Sequence, residues 1–335
     1  MRTRWIIYIG MLVVALTGCT ADDDLDTDNV YVNAIEMKGF EAVVEGMTSQ
    51  AGTRTIAPLA VEVGRNVFVS GDRVVFTTIK RTANPIETFT YSGITFNHDG
   101  SKWNKAGDTN LYWSDATNAH TFIGYSLPQV TSGTFDWNPS GESYIGTIGN
   151  GEAGESVTFS SLADLKKEDL LIAHSTTMTA TTGSVPLVSF HHALGSVRVV
   201  VSLQNGASGD ARVTEMTLLH QPTKYVWDKT SWNVSPVAEE SQARKNFQLY
   251  IPTPDGTVSG ANKEFTFYGM VLPQSSSYLS SLATEDYKKT EIEFKVTYTS
   301  STSTKTFKAS SASGTAYFDS GNNTTINISI TAPTN

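Results

Sequence analysis

The sequence predicts an all-β fold of two β-sandwich domains with one short helix. Three observations carry that reading. Short runs rich in Val, Ile, Thr, Tyr and Phe recur at ~8–12-residue spacing between Gly, Pro, Asp and Asn, the pattern of sandwiches and barrels. Only 17% of the residues are charged, against a background of Thr, Ser and Gly. Finally, Phe122-Ile-Gly-Tyr125-Ser-Leu-Pro128-Gln129 returns loosely as Phe267-Tyr-Gly-Met-Val-Leu-Pro273-Gln274, the two glutamines 145 residues apart. That separation is close to one domain at ~150 residues.

At the N-terminus, Arg2 and Arg4 precede an apolar run from Trp5 to Leu16, closed by Leu16-Thr17-Gly18-Cys19. Basic, apolar and small residues in that order make a secretory signal. The run is too short for a bilayer crossing, which takes ~20 residues. The closing box resembles a bacterial lipoprotein signal, in which a peptidase cuts before the cysteine and the thiol is acylated. Residues 1–18 are then the signal peptide and Cys19 the lipidation site, so that acyl chains attach the protein to the outer membrane. Cys19 is also the only cysteine, so packing and sheet hydrogen bonds alone hold the exported chain. Removal of Arg2 and Arg4 moves the formal charge from -9 to -11. An acidic chain without basic clusters argues against nucleic acid as a partner.

Residues 20–29 hold alternating Asp22, Asp24, Asp26 and Asp28. A calcium loop needs Gly at its sixth position and Glu at its twelfth. From Asp22 those positions are Thr27 and Asn33, and from Asp24 they are Asn29 and Ile35. The match fails, and the stretch reads as a solvated tether. Residues 30–44 read as a strand, followed by a polar linker with one basic residue, Arg54, an exposed protease site. Residues 19–54 thus form a tether and a removable strand, 55–182 a first sandwich and 183–335 a second.

Within the first sandwich, residues 67–69 and 74–79 read as a hairpin around Gly71-Asp72. Strands 88–91 and 94–96 follow, and His98-Asp99-Gly100 is a hairpin turn. Leu111-Tyr112-Trp113 and residues 120–127 continue the pattern. Residues 160–171 are the one helix, with Ser161 and Asp164 as a capping box. Residues 170–173 return to strand, and the polar run 176–184 is the boundary. Beyond it strands are expected at 185–190, 196–203, 211–219, 225–227, 247–251, 264–272, 291–298, 306–309 and 324–330. Residues 291–298 place Ile292, Phe294, Val296 and Tyr298 on one face, a half-buried antiparallel strand.

No catalytic constellation stands out. His191-His192 is the only histidine pair, and neighbours on a strand point to opposite faces, so one ion cannot take both. No phosphate loop or nucleophile elbow is present, and neither a cofactor nor a metal is expected. Glu239-Glu240 reads as solvated loop. Trp227 and Trp232 bracket a hairpin-like loop, where they either pack in the core or rim or form a sugar-stacking platform.

Taken together, these residues resemble the fimbrillin-like pilin family of Bacteroides-type bacteria, the subunits of type V pili. The features are the box ending at Cys19, Thr53-Arg54-Thr55 after a strand, Gly71-Asp72-Arg73-Val74, Leu111-Tyr112-Trp113, Phe122-Ile-Gly-Tyr125-Ser-Leu-Pro128, Asp169-Leu170-Leu171 and Val185-Pro-Leu-Val-Ser-Phe190-His-His192-Ala-Leu194. The acids after Cys19 likewise resemble the surface-export signal of such lipoproteins. The resemblance implies two transthyretin-like, Greek-key β-sandwich domains and no enzymatic activity. It implies a lipoprotein precursor that moves to the cell surface and the fimbrium, with other pilin subunits as partners by strand addition. An arginine-specific protease would cut between Arg54 and Thr55 and release the strand at 30–44. The ligand would be a host glycan or protein. The alternative is a permanently lipid-anchored glycan-binding protein. Because residues 324–330 read as the last sheet strand with only five residues after them, a tip-type subunit is expected. If 324–330 were instead the donor, residues 316–318 would close the sandwich.

Overall fold

Strands carry nearly all the regular structure of the computed structural model. It describes residues 35–37, 39–45, 48–49, 64–81, 91–108, 110–113, 119–127, 136–137, 143–149, 156–179, 186–206, 211–228, 234–238, 244–298, 304–311 and 318–331. The chain begins with β1 (Ile35–Glu36), β2 (Glu41–Val44) and β3 (Thr48–Ser49). Next come β4 (Arg73–Arg81), β5 (Ile94–His98), β6 (Trp103–Lys105), β7 (Tyr112–Trp113) and β8 (Ala119–Leu127). β9 (Asp136–Trp137), β10 (Ser143–Thr147) and β11 (Ser156–Thr158) precede helix α1 (Leu162–Glu168). After it stand β12 (Leu171–Thr179), β13 (Leu187–His192), β14 (Gly195–Gln204), β15 (Ala211–Pro222), β16 (Lys224–Asp228), β17 (Val234–Pro236) and β18 (Arg244–Gln248). The remainder is β19 (Thr257–Ser259), β20 (Asn262–Val271), helix α2 (Ser276–Ser281), a 3₁₀ turn at Glu285–Lys288, β21 (Glu291–Tyr298), β22 (Thr304–Ser310) and β23 (Asn322–Thr331). Among these residues no helix is long and apolar enough to cross a membrane.

The largest sheet has seven strands in the order β2-β13-β12-β8-β4-β5-β6. Two five-stranded sheets follow, β19-β20-β14-β23-β3 and β11-β18-β15-β21-β22, with a four-stranded sheet β17-β16-β10-β9 and the pair β1-β7. Period-2 patterning explains how they face each other. In β14, Val197, Val199, Val201 and Leu203 are fully buried while Arg198, Val200 and Ser202 are half-buried. The first set packs into one core with Val213, Met216 and Leu218 of β15 and Phe294 and Val296 of β21. A second core is mostly aromatic and gathers Phe40, Phe76, Phe96, Trp113, Phe122 and Phe190. Each such side chain contributes ~1.5–3 kcal/mol on burial.

Several expectations change. The strand beyond the polar run 176–184 stays with the first sheet, because Leu171–Ala173 of β12 pair with Phe190–His192 of β13. Between β13 and β14 the chain leaves that sheet at the fully buried Ala193 and Leu194. β12 itself extends to Thr179, into the expected boundary. Residues 67–69 form no strand: Val67 and Val69 are 59% and 54% exposed. A second helix, α2, joins the one that was expected; its run of serines carries no apolar period, and it rests on Leu279 and on Ser275, whose hydroxyl accepts from Tyr278 N. The hairpin turn at Asp99 is as expected, with His98 opposite Trp103. Residues 324–330 lie inside β23, paired in parallel with β14 from Asn323–Ser196 to Thr331–Gln204. Phe318 is buried without being part of a strand.

Candidate functional site at the N-terminal segment

Residues 35–49 reach three sheets in fifteen positions. Ile35 and Glu36 pair with Trp113 and Tyr112, antiparallel. Glu41–Val44 pair in parallel with Leu187–Phe190 and form the edge of the seven-stranded sheet. Thr48 and Ser49 pair in parallel with Asn322 and Asn323 of β23. Met37 N donates to Leu111 O, Glu41 N to Pro186 O and Glu45 N to Phe190 O, each at 2.8 Å. The expected strand over 30–44 is thus two short strands, and residues 30–34 lie outside the described residues.

The break between β1 and β2 puts two side chains in the core. Met37 and Phe40 are 6% and 4% exposed. The Phe40 ring meets Phe96 at 4.6 Å and Phe76 at 5.0 Å edge-on, and stacks on Trp103 at 5.0 Å. An aromatic anchor immediately ahead of an edge strand is the arrangement of a plug in a groove.

A polar node lies beside this groove. Arg65 N donates to Asp169 Oδ2 at 2.6 Å, and Arg65 Nη2 donates to Ser126 O at 2.7 Å and Asp169 O at 3.0 Å. Nη1 donates to Ser126 Oγ at 3.2 Å and stands 3.5 Å from Asp72 Oδ1. His192 Nδ1 is 2.9 Å from Asp169 Oδ1. Burial lowers the affinity of the guanidinium for its proton, and Asp169 and then Asp72 oppose that shift. Phe68 links node to groove: its ring is 5.9 Å from Arg65 Cζ, 5.0 Å from Trp103 and 5.4 Å from Phe190. Asp72, Ser126, Asp169 and His192 come from four separate sequence motifs, and the fold brings them together around Arg65. The signal was in the spacing of those motifs, but nothing in the local sequence marks Arg65 as buried.

Cys19, Arg54, Thr55, Trp232 and Glu239-Glu240 lie outside the described residues. Trp227 is 2% exposed and its ring sits 6.2 Å from Tyr125, so it is core and offers no sugar platform. His191 and His192 point to opposite faces as expected, His191 toward Glu45 Oε2 at 3.1 Å and His192 inward to Asp169. Among the described residues no group of three or more His, Cys, Asp or Glu is arranged to hold a metal. An open cleft of about 700 Å³ elsewhere is lined by Pro236, Pro273, Ser275, Tyr278, Asp319 and Ser320.

The repeated motif has one structural meaning in both places. Phe122 on β8 and Phe267 on β20 are fully buried. A Cβ on Gly124 would lie 2.8 Å from Val75 O and Phe76 Cδ1, and one on Gly269 would lie 2.5 Å from Leu249 Cδ2. Each glycine lets a neighbour pack directly on an interior strand.

Comparison with known proteins agrees with this architecture. A candidate cell adhesion protein from Bacteroides ovatus is 14% identical, with a TM-score of 0.51 over 88% of this chain and 93% of its own. One from Bacteroides uniformis is 13% identical, with a TM-score of 0.48 over 89% and 93%. At such identities the first likeness is one of fold. No curated protein matches the sequence. The profile of the family described as fimbrillin-like matches residues 53–335, the whole body that follows the inserted segment, and the chain belongs to that family.

Proposed function

We propose that this chain is an adhesive fimbrial subunit, exported as a lipoprotein through acylation of Cys19 and matured by an arginine-specific protease that cuts between Arg54 and Thr55. Cutting releases the segment at 35–49, and a strand of another pilin subunit takes its place. The observation that carries the proposal is the seating of that segment: a short edge strand, an aromatic anchor and a following arginine, all ahead of or at the start of the family-matched residues 53–335. Main-chain hydrogen bonds along β13 supply affinity, and the pocket of Phe40 fixes register. β23 is a working strand of its sheet, so residues 324–330 are not a free donor. The role is structural rather than enzymatic, with no cofactor and no nucleic acid. Membership of the fimbrillin-like family and the name of the Bacteroides ovatus protein support a surface location and a role in cell adhesion, and the ligand proposed is a host glycan or protein. The rival reading, a permanently anchored glycan binder, loses one of its two platform tryptophans with the burial of Trp227, while Trp232 lies outside the described residues.

Mass spectrometry of protein shaved from intact cells tests the proposal. Mature chains starting at Thr55 are expected. Lipidated chains starting at Cys19 as the sole surface form would overturn it.

A further inference from the structure

We infer that Arg65 is a masked arginine: the buried node keeps the Arg65–Asn66 bond from the arginine-specific protease, so that maturation stops at Arg54 and residues 65–72 stay with the body. This rests on the proposed maturation, but its test can fail separately.

By its backbone, this stretch should be cut. Residues 64–72 form no strand, and Asn66, Val67, Val69 and Ser70 are exposed. Loops of that kind are preferred protease sites. Arg73, by contrast, sits in β4 between Leu127 of β8 and Asn97 of β5, where no protease can thread the chain. What guards Arg65 is its side chain. A protease specific for arginine must draw the guanidinium into its own acidic pocket. Here the guanidinium is 5% exposed, held by Ser126, the Asp169 carbonyl and two carboxylates, and the backbone N–H is bonded to Asp169 as well. Cleavage therefore requires the node to open first, and its rate follows the population of that open form.

The node also matters for what remains. A cut after Arg65 would take away the guanidinium that faces both Asp72 and Asp169, which are 2% and 0% exposed in the intact chain, leaving Asp169 only its His192 contact. Such a product would be destabilised, because the Asp72 carboxylate loses its buried counter-charge. A cut after Arg54 leaves the node complete, with Phe68 still on Trp103 and Phe190 as the floor of the emptied groove.

Limited proteolysis of the full chain with trypsin, read by the N-termini of the products, tests the inference. A synthetic peptide spanning residues 60–72 serves as the unmasked reference. In the native chain, cutting after Arg65 is expected to be at least ~100-fold slower than in the peptide. Ser126→Ala, which keeps both carboxylates, should speed that cut about tenfold, and Asp72→Asn more. Native cutting after Arg65 within threefold of the peptide rate overturns the inference. So does an unchanged rate in Ser126→Ala, which is informative even if Asp72→Asn does not fold. Resistance at both Arg65 and Arg54 would support the mask and overturn Arg54 as the maturation site.

Discussion

Replacing Phe40 with Ala should loosen the N-terminal segment while leaving the body folded. The ring is 4% exposed and packs against Phe76, Phe96 and Trp103 at 4.6–5.0 Å. Truncating such a side chain costs ~3–5 kcal/mol. If residues 35–49 open as a unit, that cost falls on the opening equilibrium of the segment, which should shift by ~10²–10³-fold or more, at 1.36 kcal/mol per factor of ten. Hydrogen exchange reads this directly. The Glu41 and Glu45 amides bond to Pro186 O and Phe190 O across the β2–β13 edge. Their protection should fall by ~100-fold or more, while the amides of Val197–Leu203 in β14, deep in the other core, change by less than about tenfold. Equal loss at both places would mean that the segment is an integral strand, and no loss at Glu41 would mean that Phe40 does not anchor it. Either result refutes the reasoning.

Three further outcomes are expected. Arg54→Ala should fold normally yet block maturation, and fimbriae at wild-type levels in that strain would sink the cut site. Gly124→Ala should cost ~1–3 kcal/mol in urea unfolding, because its new methyl would sit 2.8 Å from Val75 O and Phe76 Cδ1. The Asp99 carboxyl is held well below the usual carboxylate range, first by the Asn104 side chain and then by the Lys102 and Ser101 backbone amides. A depressed folded pKa means that the turn is supported above the unfolded value of ~3.9 and loses that support as pH falls through the lower folded value. Asn104→Ala should raise the Asp99 titration midpoint in an NMR series, and an unmoved midpoint would exclude that bond as its main cause.

Much of the fold was legible because its strands are locally consistent. In β21 the alternation Ile292, Phe294, Val296 is buried as written, and in β14 so is Val197, Val199, Val201. The cap at Ser161 marks α1, since its hydroxyl accepts from Asp164 N at 3.2 Å. Misreadings arise where long-range contacts override local pattern. Val67-Phe68-Val69 has the composition of a strand, but Arg65 and Asp72 fix the segment as a loop with Phe68 half-buried and both valines outward. A polar run at 176–184 looks like a boundary, yet β12 continues to Thr179 because β8 pairs with it there. The groove itself was half legible. A strand before an arginine can be read from residues, but its parallel pairing with β13, 146 positions away at Glu41–Leu187, cannot.

That pairing explains why the segment should be both well seated and removable. β2 is four residues long and, among the described residues, has a partner strand on one side only, so few main-chain bonds hold it. Its hold comes from Met37 and Phe40, two side chains in pockets, and side chains in pockets can be matched by another strand with the same spacing. Uncovered, β13 would present unpaired backbone beside the fully buried Val188 and Phe190, an edge prone to pair with any strand at hand. β3 at the same time leaves Asn322 and Asn323 of β23. Under the maturation proposed above, such a cover would prevent premature pairing during export, and a single cut after Arg54 would open edges on two sheets together. With Arg65 pinned by its node, that opening would end where the body begins.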